Sequence, residues 1–458
     1  MELHIEVVDP IASRIPKKEA VTLIPCLSFD SEYWIKGQFG KKRKPHRKQF
    51  FFSKGQKYWY FYTGLLQKVA SYCHLTGVDI VISNQSNAFP FELEAKIPHV
   101  RGKILREDQI ELVRKATDEM RGIIKAPTGS GKTLLQMAIA SCYPNFNILI
   151  LAHTVSITYQ TFKEFEEHGF KHMQLMGGGL PKELNGSRIV ISTMQTFKKV
   201  QGYDDYFQVV MIDEAHHVTK ATGTYGKILG NMLAPIRLGF TATIPTEAES
   251  QFTMEGLLGP VIGELTIQEA HDLGILATPK IKLVKSRFNA LIKQQRNYQD
   301  VYSLGIVQNR SRNKQIVDLI DQYISEGKTI LVIVVQIQHG ILIQQMAERY
   351  NIPIEFVQGS TEGENREQIK KLLSDKKIPC VISTAVWREG VNIPSLDVVI
   401  NAAGGKSEIM TLQSLGRGLR KTDDKDEVII VDFFDPSHHY LISHFGERVT
   451  LYMDQGWL

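Results

Sequence analysis

The octapeptide Ala126-Pro127-Thr128-Gly129-Ser130-Gly131-Lys132-Thr133 stands between an apolar run at 122–125 and a helical pattern at 134–140. A strand, a glycine-bearing turn and the start of a helix, in that order, make a phosphate cradle. Glycines let the backbone curl so that its N–H groups face phosphate oxygens, and the first turn of the helix adds positive potential. Pro127, Thr128, Gly129, Ser130 and Gly131 would form the cradle, Lys132 would reach the β and γ phosphates, and Thr133 would ligate Mg²⁺. Ala126 occupies the place where the strict pattern has its first glycine. Taken alone, the segment could also be a glycine-rich turn with a solvated lysine.

Outward from this loop the chain repeats an apolar strand, a polar turn and an amphipathic helix, the pattern of α/β units around a parallel sheet. Strands are expected at 122–125, 148–152, 189–192, 209–212 and 238–240, and again at 329–335, 354–357, 380–383, 398–401 and 427–431. Two sets imply two sheets, and 458 residues exceed what one hydrophobic core organises. Gly274 and Pro279 punctuate the chain between the sets, so the join is expected near 274–280. The expected organisation is a small α+β N-terminal domain over 1–95, then α/β domains over 96–275 and 276–458.

Composition narrows the class. Hydrophobic residues at 43% and charged residues at 22% exclude collagenous, disordered and membrane proteins. No apolar run approaches the roughly 18 to 20 residues of a membrane span, and the opening MELHIEVVDP lacks the layout of a signal peptide. A cytoplasmic location is therefore expected. Cys26, Cys73, Cys142 and Cys380 have no paired spacing, so neither a zinc site nor a disulfide framework is indicated. Charge is uneven: ten Lys or Arg and no Asp or Glu lie between Tyr33 and Val78, which leaves −5 on the rest of a chain of net charge +5. Such a basic stretch suits a phosphate-bearing partner.

A second chemical signal, Asp213-Glu214-Ala215-His216, closes the apolar run at 209–212, where a parallel strand delivers side chains to the crevice above its sheet. Asp213 would hold Mg²⁺ through water, and Glu214 would orient and deprotonate the water attacking a γ-phosphate. Further on, Gln413, Arg417 and Arg420 recur at i, i+4 and i+7 and so share one helix face.

The loop at 126–133, Asp213 to His216 and Thr241-Ala242-Thr243 resemble the first three core motifs of superfamily 2 helicases, and the remaining motifs fall in order. The resemblance runs from Leu105 to Arg420. It implies two tandem RecA-like motor domains that hydrolyse ATP at their interface, with ATP and Mg²⁺ required. Within Leu105-Arg106-Glu107-Asp108-Gln109, Gln109 would contact adenine. His153, Thr154, Thr193 and Gln195 in the first motor domain, and Gly359, Ser360, Thr361 and Thr384 in the second, resemble the segments that hold the nucleic-acid backbone. Glu389, Gly390 and Asn392 lie in the equivalent of motif V, where Asn392 replaces the usual aspartate. In the equivalent of motif VI, Arg420 would be the arginine finger, with Arg417 near the γ-phosphate and Gln413 near the water.

The N-terminal region, with Trp34-Ile35-Lys36-Gly37, the basic run from Lys41 to Lys48 and Phe61 to Val69, looks like that of the phage UvsW-type branch-migration helicases, as does Gly177-Gly178-Gly179. That likeness implies an ATP-hydrolysing DNA helicase acting on forked or junction DNA, in phage or bacterial replication, recombination or repair. Lys41, Lys42, Arg43 and Lys44 would neutralise phosphates there. Alternation in Lys57-Tyr58-Trp59-Tyr60-Phe61-Tyr62 suits a strand whose rings are mostly core. A monomer is expected; protein partners are not indicated. The rival readings are an RNA helicase and the motor subunit of a restriction-type complex.

Overall fold

The computed structural model describes residues 2–37, 40–84, 95–180, 183–275, 277–359, 361, 363–384, 396–405, 427–454 and 457–458, apart from the side chains of 31–46, 267, 278, 363, 364, 367, 451 and 454. They divide into two compact units, the first taking residues up to Leu265 except the loop Pro127–Ser130, which groups with the second from Thr266 onward.

The first unit opens with β1 (Glu2–Val7), β2 (Ala12–Pro16), β3 (Ser28–Gly37), β4 (Gly40–Gln49), β5 (Ser53–Lys54), β6 (Tyr58–Tyr62) and β7 (Asp79–Asn84). Five of these form a mixed sheet in the order β5-β6-β2-β1-β7, while β3 and β4 pair only with each other. Their antiparallel register runs from Ser28↔Gln49 to Gly37↔Gly40. The basic run is therefore a strand: Lys41, Lys42, Arg43 and Lys44 face Lys36, Ile35, Trp34 and Tyr33 across the ladder.

The motor sheet of this unit has seven parallel strands, β8 (Arg121–Lys125), β9 (Ile148–Ala152), β10 (Met173–Met176), β11 (Ile189–Thr193), β12 (Val209–Asp213), β13 (Ile236–Thr241) and β14 (Val261–Glu264), in the order β10-β11-β9-β12-β13-β8-β14. Every residue of β9 and β13 is buried, which is why these strands read as unbroken apolar runs. The two strands not anticipated, β10 and β14, are the edges, where burial is only partial. Arg237 on β13 is wholly buried and donates to the carbonyls of Leu229 (2.5 Å), Met232 (2.8 Å), Leu257 (2.9 Å) and Ala234 (3.2 Å). Four acceptors satisfy a guanidinium that burial pushes down to about 9.

The second unit carries β15 (Thr278–Lys285), β16 (Ile330–Ile333), β17 (Glu355–Val357), β18 (Cys380–Ser383), β19 (Val398–Asn401) and β20 (Glu427–Phe434), all parallel, in the order β15-β20-β19-β16-β18-β17. The segment read as a join thus contributes an edge strand, paired with β20 along its whole length. Buried Arg312 meets Asp435 at 3.1 Å, and Arg448 meets Asp432 at 2.7 Å. Among the described residues no helix is long and apolar enough to cross a membrane.

The N-terminal strands share one apolar core with the first motor sheet. Phe29 on β3 and Phe50 after β4 place their rings 5.3 and 5.4 Å from that of Phe252, on the helix Ala248–Leu258. Lys68 pairs with Glu255 of that helix at 3.0 Å, and Lys48 pairs with Glu249. Contact is closest at Gly64, where a Cβ would fall 2.1 Å from the Glu255 carbonyl oxygen. Gly64→Ala is therefore expected to force the two segments apart and destabilise the first unit by about 1–3 kcal/mol or more. Thermal unfolding checks this; an unchanged midpoint would mean that the contact yields freely.

Candidate functional site

The phosphate loop joins β8 to the helix Lys132–Cys142. Gly129 and Gly131 have φ of 90° and 97°, conformations that L side chains rarely adopt. Lys132 Nζ donates to the Ala126 carbonyl at 3.2 Å, so the lysine folds back over its own loop. Gln109 is buried beside this turn; its Oε1 accepts the Arg106 N–H at 3.2 Å. A Cβ on Gly131 would lie 2.8 Å from Gln109 Nε2. The residue expected to read a base thus also braces the phosphate loop.

Asp213 ends β12, and Glu214 follows in the left-handed region at φ 51°. A non-glycine residue held there stores backbone strain, as functional sites often do. The Asp213 carboxylate accepts the Glu214 N–H at 3.1 Å. Its neighbour β13 delivers Thr241, whose hydroxyl lies 3.0 Å from His216 Nδ1 and donates to the Thr243 carbonyl at 2.8 Å. The hydroxyl proton being spent, His216 Nδ1 carries the hydrogen and donates to Thr241; Glu214 Oε2 stands 3.4 Å from the same nitrogen. Burial, then the neighbouring Glu214 charge, raises Asp213 above the usual carboxylate range. Burial acts most strongly on Glu214 too, but the polar His216 ring 3.4 Å away and the charge of Lys132 outweigh it and hold Glu214 low. Two adjacent buried carboxylates are thus pushed in opposite directions, Asp213 toward the protonated form and Glu214 toward the ionised one.

At the same edge of the sheet, β9 leads directly into His153 and Thr154, and β11 ends at Thr193 beside Ala152. Thr154 and Thr193 cap the helices Val155–Glu167 and Met194–Phe197, each hydroxyl accepting a backbone N–H at 3.3 Å. Gln195 is exposed. The His153 ring stacks on that of His217, with centroids 3.9 Å apart and planes 13° from parallel, and His217 lies 4.2 Å from His216. The sequence places Thr241 in a core motif but does not show its contact with His216, and it gives no role to His217, whose pairing with His153 depends on the adjacency of β9 and β12, which is not legible from strand patterns.

In the second unit Gly359 is exposed after β17, and Thr361 Oγ1 accepts the Gln358 N–H at 3.1 Å. Arg366 donates to the Gly359 and Thr361 carbonyls at 2.9 and 2.6 Å, fixing that turn. Thr384 is buried after β18. Ser360, Glu389, Gly390, Asn392, Gln413, Arg417 and Arg420 lie outside the described residues, as do the side chains of Lys41, Lys42, Arg43 and Lys44.

Two family models match the chain: the res subunit of type III restriction enzymes over residues 102–246, and the helicase conserved C-terminal domain over 311–422. The ATP-dependent DNA helicase uvsW of Enterobacteria phage T4 is 26% identical over 370 residues, covering 73% of this chain and 72% of the relative. The DNA 3'-5' translocase XPB2 of Sulfurisphaera tokodaii is 25% identical over 392 residues, 76% of this chain and 85% of the relative. Among solved structures, the type ISP restriction-modification enzyme LlaBIII bound to DNA superposes with a TM-score of 0.57 at 17% identity, over 82% of this chain and 32% of its own. Dbp5 of S. cerevisiae, bound to RNA and ADP BeF3, gives 0.56 at 14% identity, over 77% of this chain and 92% of its own. These two structures speak for the fold alone.

Gly131→Ala is expected to weaken nucleotide binding by about tenfold or more, since a side chain at that φ is strained by about 1–2 kcal/mol even before it meets Gln109. Titration with a fluorescent ATP analogue measures it; affinity within twofold of the parent would show that the loop accepts a side chain there.

Proposed function

We propose that this chain, which is an ATP-dependent helicase of superfamily 2, drives DNA through branched intermediates: it migrates junctions, regresses forks and unwinds arms in phage or bacterial replication, recombination or repair. It would do so as a cytoplasmic monomer. The main support is the common carboxyl edge of the first motor sheet, which carries the phosphate loop, Asp213 and Glu214 together with His153, Thr154 and Thr193. Phosphates of two kinds, nucleotide and backbone, would be held side by side on one rigid frame. Likeness to a phage DNA helicase and an archaeal DNA translocase, each over more than two thirds of its length, favours DNA as the track.

Roles follow from chemistry at each position. Lys132 would neutralise the β and γ phosphates, Gln109 would meet the adenine edge, and Glu214, the carboxylate kept deprotonated, would take a proton from the attacking water. Asp213 and the Thr133 hydroxyl offer oxygen donors suited to a hard divalent ion, and a cation there would offset the burial and the Glu214 charge that raise Asp213. Mg²⁺ held by them would shield phosphate charge. Gln413, Arg417 and Arg420 retain the roles that their motif implies. The hairpin of β3 and β4 would present Lys41, Lys42, Arg43 and Lys44 to a junction arm, outside the motor sheet.

The test is ATP turnover measured in parallel with single-stranded DNA, duplex, forked DNA, a four-way junction and RNA. Stimulation by DNA, with strand displacement on forks and junctions, is expected; stimulation by RNA alone would move the chain to the RNA helicases, and turnover on duplex without strand displacement would favour a restriction-type motor. In the same assay Glu214→Gln should bind ATP normally and lose turnover by about 10²- to 10⁴-fold. Retained single-turnover hydrolysis would place the base elsewhere.

A further inference from the structure

We propose that the stacked rings of His153 and His217 form a positioning link through which nucleic acid held at the end of β9 sets the aim of the Glu214 carboxylate. The inference rests on the DNA-motor reading and adds a residue, His217, to which no motif gives a role.

The link is short and continuous. His153 and Thr154, the residues expected to hold a backbone phosphate, directly follow β9, and Thr154 caps the next helix. The His153 ring lies flat on that of His217, at 3.9 Å and 13°. His217 closes a tight 3₁₀ turn, Ala215–His217, whose entry residue is Glu214: the His217 N–H donates to the Glu214 carbonyl at 3.1 Å, and the Val218 N–H to that of Ala215 at 2.9 Å. A displacement of the His217 ring therefore carries the backbone that orients Glu214.

Two features make this turn responsive. Glu214 sits at φ 51° and ψ 55°, a conformation held by its surroundings and not by its own preference. Its Oε2 stands 3.4 Å from His216 Nδ1, which is closer, at 3.0 Å, to the Thr241 hydroxyl, so a small rotation shifts that hydrogen between the two oxygens. The buried partner strands leave the turn as the part able to adjust, since β9 and β12 are paired in register from Ile148↔Val209 to Leu151↔Ile212.

A structural role for the stack would affect stability or basal turnover, whereas a link affects the response to DNA. The full chain is assayed for kcat and KM of ATP with and without saturating single-stranded DNA, and for DNA affinity at fixed salt. For His217→Ala the expected result is unchanged basal kcat, KM and DNA affinity, with stimulation by DNA about three- to tenfold smaller, the range that loss of an aromatic pair implies. His217→Phe, which keeps a flat ring, should restore stimulation; His217→Leu, which fills the space without one, should not, and it replaces the alanine variant should that fail to fold. Normal stimulation in both His217→Ala and His217→Leu overturns the link, as does a phenylalanine variant no better than alanine, or an equal fall in basal and stimulated kcat. A parent protein that DNA does not stimulate at all overturns both the link and the DNA-motor reading, whereas the other outcomes leave that reading standing.

Discussion

In-register pairing of β12 with β9 on one side and β13 on the other is the constraint on which the site depends. Three separate stretches of chain end at the same height because their backbones are bonded residue for residue. Asp213, His153 and Thr241 are brought to one rim by this pairing and not by any direct attraction among them. Side chains with mutually costly charges, such as the adjacent Asp213 and Glu214, can then be held together, the cost being spread over buried strands with no polar side chain in their middle.

How far the sequence revealed this depends on the kind of position. Central strands such as β9 and β13 are buried on both faces, so hydrophobicity is continuous and their limits can be read to within a few residues. Edge strands carry a weaker signal: β10 includes Gln174, β14 is four residues long, and β15 alternates lysines with apolar residues, so each resembles a loop. The hairpin strand Gly40–Gln49, with six lysines and arginines between Lys41 and Lys48 interrupted only by Pro45 and His46, has almost no intrinsic strand preference and owes its form to the opposite strand. Lys132, Asp213 and Glu214 were legible because local chemistry at a strand end carries their meaning. His217 was not, because its partner lies 64 residues earlier and only strand order brings the two rings together.

The N-terminal strands illustrate a second limit. Composition separates them from the motor, since the positive charge is concentrated there, yet their apolar residues belong to the motor's core. Charge describes a surface; it says little about what lies beneath. Phe29, Phe50 and Phe252 close a single aromatic cluster from two stretches of chain about two hundred residues apart, and Arg237 ties the far end of the same helix, at Leu257, to β13.

The facing glycines of that junction have a consequence for how such proteins diversify. Gly64 abuts the carbonyls of Glu255 and Gly256, while a Cβ on Gly256 would lie 3.0 Å from Tyr62. Each surface is shaped for the absence of a side chain on the other. A recombination event, or a designer, that exchanged the N-terminal strands alone for those of a related motor would bring unmatched surfaces together at a point with no slack. The transferable segment is therefore discontinuous: it includes the helix Ala248–Leu258 from the middle of the motor. Heritable exchange of the front end would require two separate segments to be replaced in concert, so the N-terminal strands and this helix should change together in descent although nearly two hundred residues of chain separate them.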